Sequence, residues 1–385
     1  MQGPWARRRE RRGTARPARS AVSRIWPNPD PGPKLTRVTD GDHPRFPLLL
    51  PPDTAGLDGM RATLTGADAV GDLGTDLAAT LAWVTSVARP HSLATTWELL
   101  ASVAARDVAA ARMLEPHLDA LAILDEAAAA GFAPDLDTSG SWGVFAAEGP
   151  GMRLEARRDA GTWTLHGTKP WCSLAADLDR ALVTAWVDDT HRQLFALDLR
   201  DPAVTARPGP WHARGLERVV SAPIDVDGAP AVPVGDAGWY LRRPGFAHGG
   251  VGVAACWWGG AVPLRDPLAA AAARDSADQL SRVHLARADV ALWAARAVLV
   301  ETATVFGAGG EASEGLRANR ARTVVADAVE TTVAEAARAL GPGPLVVDEA
   351  HARRVADLQV YIRQHHGDRD LARIGADIAA GNAAW

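Results

Sequence analysis

The stretch richest in chemically useful side chains is Gly161-Thr162-Trp163-Thr164-Leu165-His166-Gly167-Thr168-Lys169-Pro170-Trp171-Cys172-Ser173. Asp159-Ala160-Gly161 supplies turn chemistry, and Trp163 and Leu165 then alternate with polar neighbours, as on a half-buried strand. Gly167 suits a tight bend, delivering a second edge that ends in Trp171 and Ser173. At a spacing of two, those side chains share one face, a flat apolar ring beside a hydroxyl. An ordinary hairpin with a core tryptophan reads the same way. Lys169 stands out for another reason: of 41 Lys and Arg residues only Lys34 and Lys169 are lysines. A compact ammonium is not interchangeable with a planar guanidinium, although chance is the simplest account of one lysine.

The remaining reactive residue types carry less. Cys172 and Cys256 are the only cysteines, too few for a disulfide framework or a cysteine zinc site. Neither has a base or cation beside it in sequence, so both read as buried small hydrophobes, and a reducing cytoplasm is the plain inference. His117 lies beside an apolar helical stripe with no second ligand at metal spacing, so it reads as a packing or capping residue, and no metal site is expected. No Gly-x-Gly-x-x-Gly follows a strand, which removes a Rossmann site. The net charge of -5 gives no reason to expect nucleic acid or an anionic membrane. No run approaches the roughly 18 uncharged apolar residues of a membrane span.

The elements that must position this stretch follow from the order of patterns along 385 residues, enough for two to three packed modules. Residues 1–45 read as a disordered tail, with Arg7, Arg8, Arg9, Arg11 and Arg12 as a like-charge block before Pro-rich sequence. A helical module is expected over 46–136. From about Leu73 to Ala130, apolar residues such as Trp97, Leu100, Ala104, Ala111, Leu114, Leu118 and Leu121 recur at three and four. Residues 137–240 are strand country, with short segments at 142–148, 180–187 and 193–199 and a last pair near Arg218–Val226 and Ala231–Val234. Such spacing describes a small antiparallel barrel or sandwich. Residues 241–385 turn helical again, with long segments at 280–306, 317–340 and 349–366 and a short terminal helix from Asp370 to Ala380. The chain is thus an α+β multidomain protein with a helical block, a small β-domain and a C-terminal helical bundle.

The 161–173 stretch resembles the middle-domain signature of the acyl-CoA dehydrogenase superfamily, Gly-x-(Trp/Tyr)-x-Leu-x-Gly-x-Lys-x-Trp-x-(Ser/Thr), and the order of modules is also that family's. Phe145-Ala146-Ala147-Glu148 sits where the family's first β-domain strand ends in Thr-Glu-Pro. Gly215-Leu216 resembles its Gly-(Met/Leu) loop, Leu340-Gly341-Pro342-Gly343 its glycine-rich turn, and Arg354 with Asp357 its Arg-Asp pair. The resemblance implies a flavin, FAD or FMN, contacted by Phe145, Ala146, Ala147, Trp171, Cys172 and Ser173. There the tryptophan packs on the ring and the hydroxyl bonds near its reactive nitrogen. It also implies a small substrate such as an acyl-CoA, a homo-oligomer (dimer or tetramer), and an electron-transfer partner.

The resemblance breaks at the catalytic base. A flavin-linked acyl-CoA dehydrogenase uses a carboxylate to remove the α-proton. The family places it in either of two windows, yet no Glu occurs in 218–300 or in 350–385. Counting on from Asp357, His365 or His366 stands at the second position, where an imidazole is a competent base and equally an ordinary solvated helix end. Ala147 replaces a threonine, Gly149 a proline, and the Arg-x-x-Phe-Gly element has no counterpart beyond Arg265-Asp266-Pro267-Leu268. Three readings follow: a flavin oxidoreductase of acyl-CoA dehydrogenase type, a flavin monooxygenase of the same superfamily, and a flavin-free scaffold or partner subunit.

Overall fold

The computed structural model describes residues 54–132, 136–207, 209–306 and 313–381. The Arg- and Pro-rich 1–45 segment lies outside them. Four helices come first: α1 (Thr54–Ala69), α2 (Leu77–Ser86), α3 (Leu93–Arg106) and α4 (Val108–Ala129). Helix therefore begins well before Leu73, because Met60, Leu64 and Ala67 give α1 a buried stripe. Asp76, Ser92 and Asp107 cap the next three by accepting the backbone N–H of Ala79, Thr95 and Ala110. Inside α4, Pro116 has no N–H to return to the carbonyl of Arg112, so the helical ladder is interrupted one turn from that residue.

Seven strands follow: β1 (Trp142–Phe145), β2 (Leu154–Asp159), β3 (Thr162–Ser173), β4 (Arg180–Trp186), β5 (Arg192–Asp198), β6 (Val204–Ala206) and β7 (Ser221–Val234). Pairing runs β4–β2–β3–β7–β5 and returns from β5 to β4, closing a five-strand ring. β1 extends it by lying parallel to β4, a departure from a purely antiparallel sheet. Two further expectations change. β3 does not bend at Gly167 but runs straight through. Gly167 is required there by its φ of +110° and by the approach of the Arg153 carbonyl, into which a Cβ would collide. The expected last pair of strands is the single strand β7, which absorbs Gly228 as a bulge between the partners of Leu165 and His166.

The C-terminal bundle holds α5 (Trp239–Arg242), α6 (Gly245–Ala261), α7 (Arg265–Ala272), α8 (Gln279–Val305), α9 (Glu314–Leu340), α10 (Gly343–Val347), α11 (Glu349–Tyr361) and α12 (Asp368–Ala379). Every residue of α6 from Val251 to Ala261 is buried, so this helix is the core against which α3, α4 and α9 pack. One side chain ties its surroundings together. Arg354 donates to the carbonyls of Ala104 and Gly260 (3.0 and 3.1 Å) and of Ala105 and Arg106 (2.9 and 3.0 Å), satisfying the C-terminal end of α3. One turn later, Asp357 accepts the Leu216 N–H at 2.5 Å and so fastens the β-domain to α11.

Candidate active site

At the end of β3 the strand alternation fails for a physical reason. Pro170 of β3 and Pro223 of β7 both fall in the interval between the Lys169–Ile224 and Cys172–Ala222 pairs, and neither has an N–H to give the ladder, so the register slips between Lys169 and Cys172. Trp171, in that bulge, has a φ of +59°, and its side chain is thrown outward with 59% of the residue exposed. Trp171 and Ser173 therefore do not share one simple strand face: Ser173 is buried. Its hydroxyl accepts from Arg112 Nη2 of α4 at 2.9 Å and shares a 2.7 Å hydrogen bond with Ser221. Cys172 turns into the core, and burial pushes its thiol up to about 12, so it is inert. Phe145 is likewise a core side chain, Ala146 is half-buried with its carbonyl accepting from Thr184 at 3.4 Å, and Ala147 is exposed.

Lys169 has a structural task. Its buried ammonium reaches Glu148 Oε1 at 2.6 Å and Thr184 Oγ1 at 2.9 Å. Glu148 also accepts from Arg192 (3.1 Å) and the Trp186 indole (3.3 Å). Burial works against the charge of both partners, but the Lys169 and Arg192 hydrogen bonds hold the Glu148 carboxyl below its ordinary range. The lysine thereby pins β3 to the segment leaving β1.

His365 and His366 follow the 3-10 turn Ile362–Gln364 rather than extending α11. The His365 ring is committed at both nitrogens, with Nε2 3.1 Å from Thr323 Oγ1 and Nδ1 accepting the Gly367 N–H at 3.3 Å. The His366 side chain is 64% exposed, with Nδ1 3.6 Å from Asp370 Oδ1. Neither lines the cavity enclosed by the helices that precede the β-domain and the bundle's central helix.

That cavity, about 380 Å³, lies among α3, α4 and α6. Its α4 wall is Glu115, Leu118, Asp119, Ala122, Asp125 and Glu126, one helical face. Opposite stand Gly245, His248, Gly249 and Gly252 of α6, and the space exists because side chains are missing there. A Cβ on Gly249 would stand 2.8 Å from Asp119 Oδ1, and one on Gly245 would collide with Glu126 and Arg243. The outer end is charged: Arg243 pairs with Glu126 at 2.8 Å and with Asp119 at 3.6 Å, and Arg89 pairs with Asp125. Glu115 sits further along the same α4 face, on a lining that also includes Trp97 and Leu100 of α3. It is 3.7 Å from Arg112 Nη1, too far for a hydrogen bond, and that Nη1 is buried without a hydrogen-bond partner. Burial pushes the Glu115 carboxyl up to about 7, against the lowering pull of Arg112. The Tyr361 hydroxyl lies beside Glu115 and Cys256 without hydrogen-bond geometry to any side chain.

Arg112 and Glu115 were not singled out by sequence. The signal was present in the run from Ala109 to Leu118, where Glu115 and His117 are buried among Ala109, Ala110, Ala111, Met113, Leu114 and Leu118. Among the described residues no group of three or more His, Cys, Asp or Glu is placed to hold a metal ion, and no helix is long and apolar enough to cross a membrane.

No protein-family model and no curated protein sequence matches this one. Solved structures are. Butyryl-CoA dehydrogenase from Megasphaera elsdenii superposes with a TM-score of 0.71 at 16% identity, over 86% of this chain and 99% of its own. KijD3, solved with FMN and dTDP-3-amino-2,3,6-trideoxy-4-keto-3-methyl-D-glucose, gives 0.69 at 20% identity over 88% and 96%. TdsC from Paenibacillus sp. A11-2, solved with FMN and indole, gives 0.70 at 16% identity over 85% and 97%. The chain has the acyl-CoA dehydrogenase fold.

Proposed function

We propose that the chain is a flavin-dependent oxidoreductase of acyl-CoA dehydrogenase type. FAD or FMN would lie at the end of β3, and a small acyl thioester or related substrate in the α3–α4–α6 cavity. The observation that carries this reading is Trp171. A bulky residue in the left-handed region costs about 1–2 kcal/mol, and an exposed indole gains nothing from it unless a flat partner covers the ring. The edge fits such a group. Trp171 offers a face, Ser173 a hydroxyl, and Arg112 a buried Nη1 donor that lacks an acceptor. A flavin bound there supplies the two-electron chemistry, while the chain supplies binding, orientation and proton handling. The FMN in the KijD3 and TdsC structures and the acyl thioester in the name of butyryl-CoA dehydrogenase support the assignment.

A flavin monooxygenase is the second reading. It is favoured by the charged outer end of the cavity, which suits a polar substrate better than an acyl chain, and by the missing glutamates of the bundle. We further propose a homo-oligomer formed through the C-terminal helices, because α8 leaves Leu280, Val290 and Trp293 exposed at 57%, 62% and 67%. An electron-transfer partner and a reducing cytoplasmic setting, with both buried thiols free, complete the proposal.

The test is the colour of the purified full chain, followed by titration with FAD and FMN. Flavin uptake followed by anaerobic bleaching with butyryl-CoA supports the dehydrogenase. Uptake with no bleaching, but oxygen consumption once the flavin is reduced externally, moves the assignment to the monooxygenase. A chain that takes up neither flavin is a scaffold.

A further inference from the structure

We propose that Glu115 is the proton acceptor of the α3–α4–α6 cavity, positioned by Arg112, which links it to Ser173. The inference rests on this cavity being the substrate site of the oxidoreductase proposed above. Four carboxylates line the cavity. Glu126 accepts from Arg243 (2.8 Å) and from the Gly245 N–H (3.0 Å), and Asp125 is paired with Arg89. Asp119 and Glu115 each have an arginine at ion-pair distance, Arg243 at 3.6 Å and Arg112 at 3.7 Å, and of these two arginines Arg112 is the one hydrogen-bonded to β3. The same guanidinium donates to Ser173 Oγ at 2.9 Å, so one side chain spans the interval from the cavity carboxylate to the exposed edge of β3. A substrate lying between α4 and α6 with its reacting end toward that edge meets Glu115 there.

The chemistry suits the group. A carboxylate brought to about 7 by burial is close to balance between its two forms at neutral pH, which a general base requires. The step is a proton transfer. The C–H bond next to the substrate carbonyl breaks, its proton passes to a Glu115 oxygen, and the bonding pair stays on the substrate. Glu115 then exchanges that proton with solvent and returns a solvent-derived one to the same carbon, which regenerates the substrate. The charged or titratable groups facing it are Arg112 and Asp119 on α4, Arg322 on α9, Cys256 on α6, Tyr240 on α5, and Tyr361 at the end of α11. Since the carboxylate is the active form, exchange rises with pH through about 7 and levels off above it.

The experiment follows loss of the α-proton signal of butyryl-CoA, and separately of 1-nitrobutane as a stronger carbon acid, in D2O between acid and mildly basic pH. It uses the full chain as purified, with flavin content recorded for each sample. Glu115→Gln, which keeps the side-chain shape and removes the base, should slow exchange by about 10²–10⁴-fold, and Glu115→Asp should recover part of it. Arg112→Met should move the pH rise upward by about one unit or more, since the opposite charge nearby is lost. A residue with a purely packing role would not move that profile. A difference infrared band of the protonated Glu115 carboxyl should disappear over the same pH range and be absent in Glu115→Gln. The proposal is overturned by exchange in Glu115→Gln within about twofold of the parent, or by a parent that exchanges neither probe. Normal flavin content with unaffected exchange removes Glu115 alone. A flavin-free parent whose exchange still depends on Glu115 removes the oxidoreductase reading and leaves the base.

Discussion

Trp171 allows binding and backbone strain to be separated in one pair of variants. Its φ of +59° places it where non-glycine residues pay roughly 1–2 kcal/mol. Glycine enters that region freely but loses about 0.5–1 kcal/mol through its freer unfolded chain. Trp171→Gly should therefore be more stable than Trp171→Ala by about 0.5–1 kcal/mol, the reverse of the usual order at a strand position. Both variants lose the ring equally. With 59% of the residue exposed, about 150 Å² of a side chain of roughly 250 Å² is available, and a flat ligand covers about half of that. At about 25 cal/mol per Å², covering some 75 Å² is worth about 2 kcal/mol, or about 30-fold in Kd. The assay is urea unfolding of both variants, with FMN and FAD titrations followed by quenching of flavin fluorescence. If glycine is no better than alanine, the backbone holds no strain for the ligand to exploit. If both variants bind flavin within about threefold of the parent, Trp171 does not hold the ring.

Further outcomes follow from other parts of the structure. Glu148→Gln leaves the buried Lys169 ammonium without its carboxylate and should cost about 2–3 kcal/mol in urea unfolding. That is below the 3–5 kcal/mol of fully enclosed pairs because the Glu148 side chain is 31% exposed. Adding Lys169→Met should restore most of it, and a loss under about 0.5 kcal/mol in the single variant would refute the anchoring role. His117 is buried, with Nδ1 unpartnered, and burial lowers its pKa from 6.5 to about 4. The unfolded chain thus binds a proton that the folded chain refuses between those values. Stability should fall as pH drops through that window, by up to about 3 kcal/mol, and the parent-minus-variant difference should show it for His117→Leu. Trp293→Glu should dissociate the oligomer in light scattering, whereas a parent already monomeric at micromolar concentration would exclude that interface.

The fold was legible because its signals are local and repeated. The stripe of α4, the lengths of α8 and α9 and the Ala160-Gly161 turn of the β2–β3 hairpin each follow from periodicity or turn chemistry that neighbouring residues reinforce. The misreadings arose where a long-range partner decides the conformation. Gly167 has the composition of a turn, yet its left-handed φ serves the Arg153 carbonyl within a straight strand. The last pair of strands expected near Arg218–Val226 and Ala231–Val234 is one strand, β7, with Gly228 as a bulged residue, since β3 pairs on both sides of it. Trp171 and Ser173 were expected on one face, but strand alternation holds only while the ladder is intact, and Pro170 with Pro223 interrupts it there.

The same contrast explains why the family-like stretches disclosed the architecture and left the base open. Lys169 and Glu148 join two strands, while Arg354 and Asp357 join α3, α6, the Gly215-Leu216 loop and α11. Arg354 and Asp357 satisfy backbone groups that need a partner in any chain folded this way, and Lys169 with Glu148 forms a buried ion pair between strands, so all four mark the fold without fixing the reaction. A proton acceptor is under no such constraint. It needs only a carboxylate near the reacting end of the cavity, with its charge balanced by one cation, and any helix bordering that space can supply it. His365, at the position implied by the resemblance, has both ring nitrogens engaged by Thr323 and Gly367. Glu115 lies on α4, with burial bringing its proton affinity near neutrality and with Arg112 at ion-pair distance. In a chain without a bundle glutamate at either expected window, a base on α4 needs open space beside it, and the cavity lined by Glu115 and by Gly245, Gly249 and Gly252 of α6 provides that space.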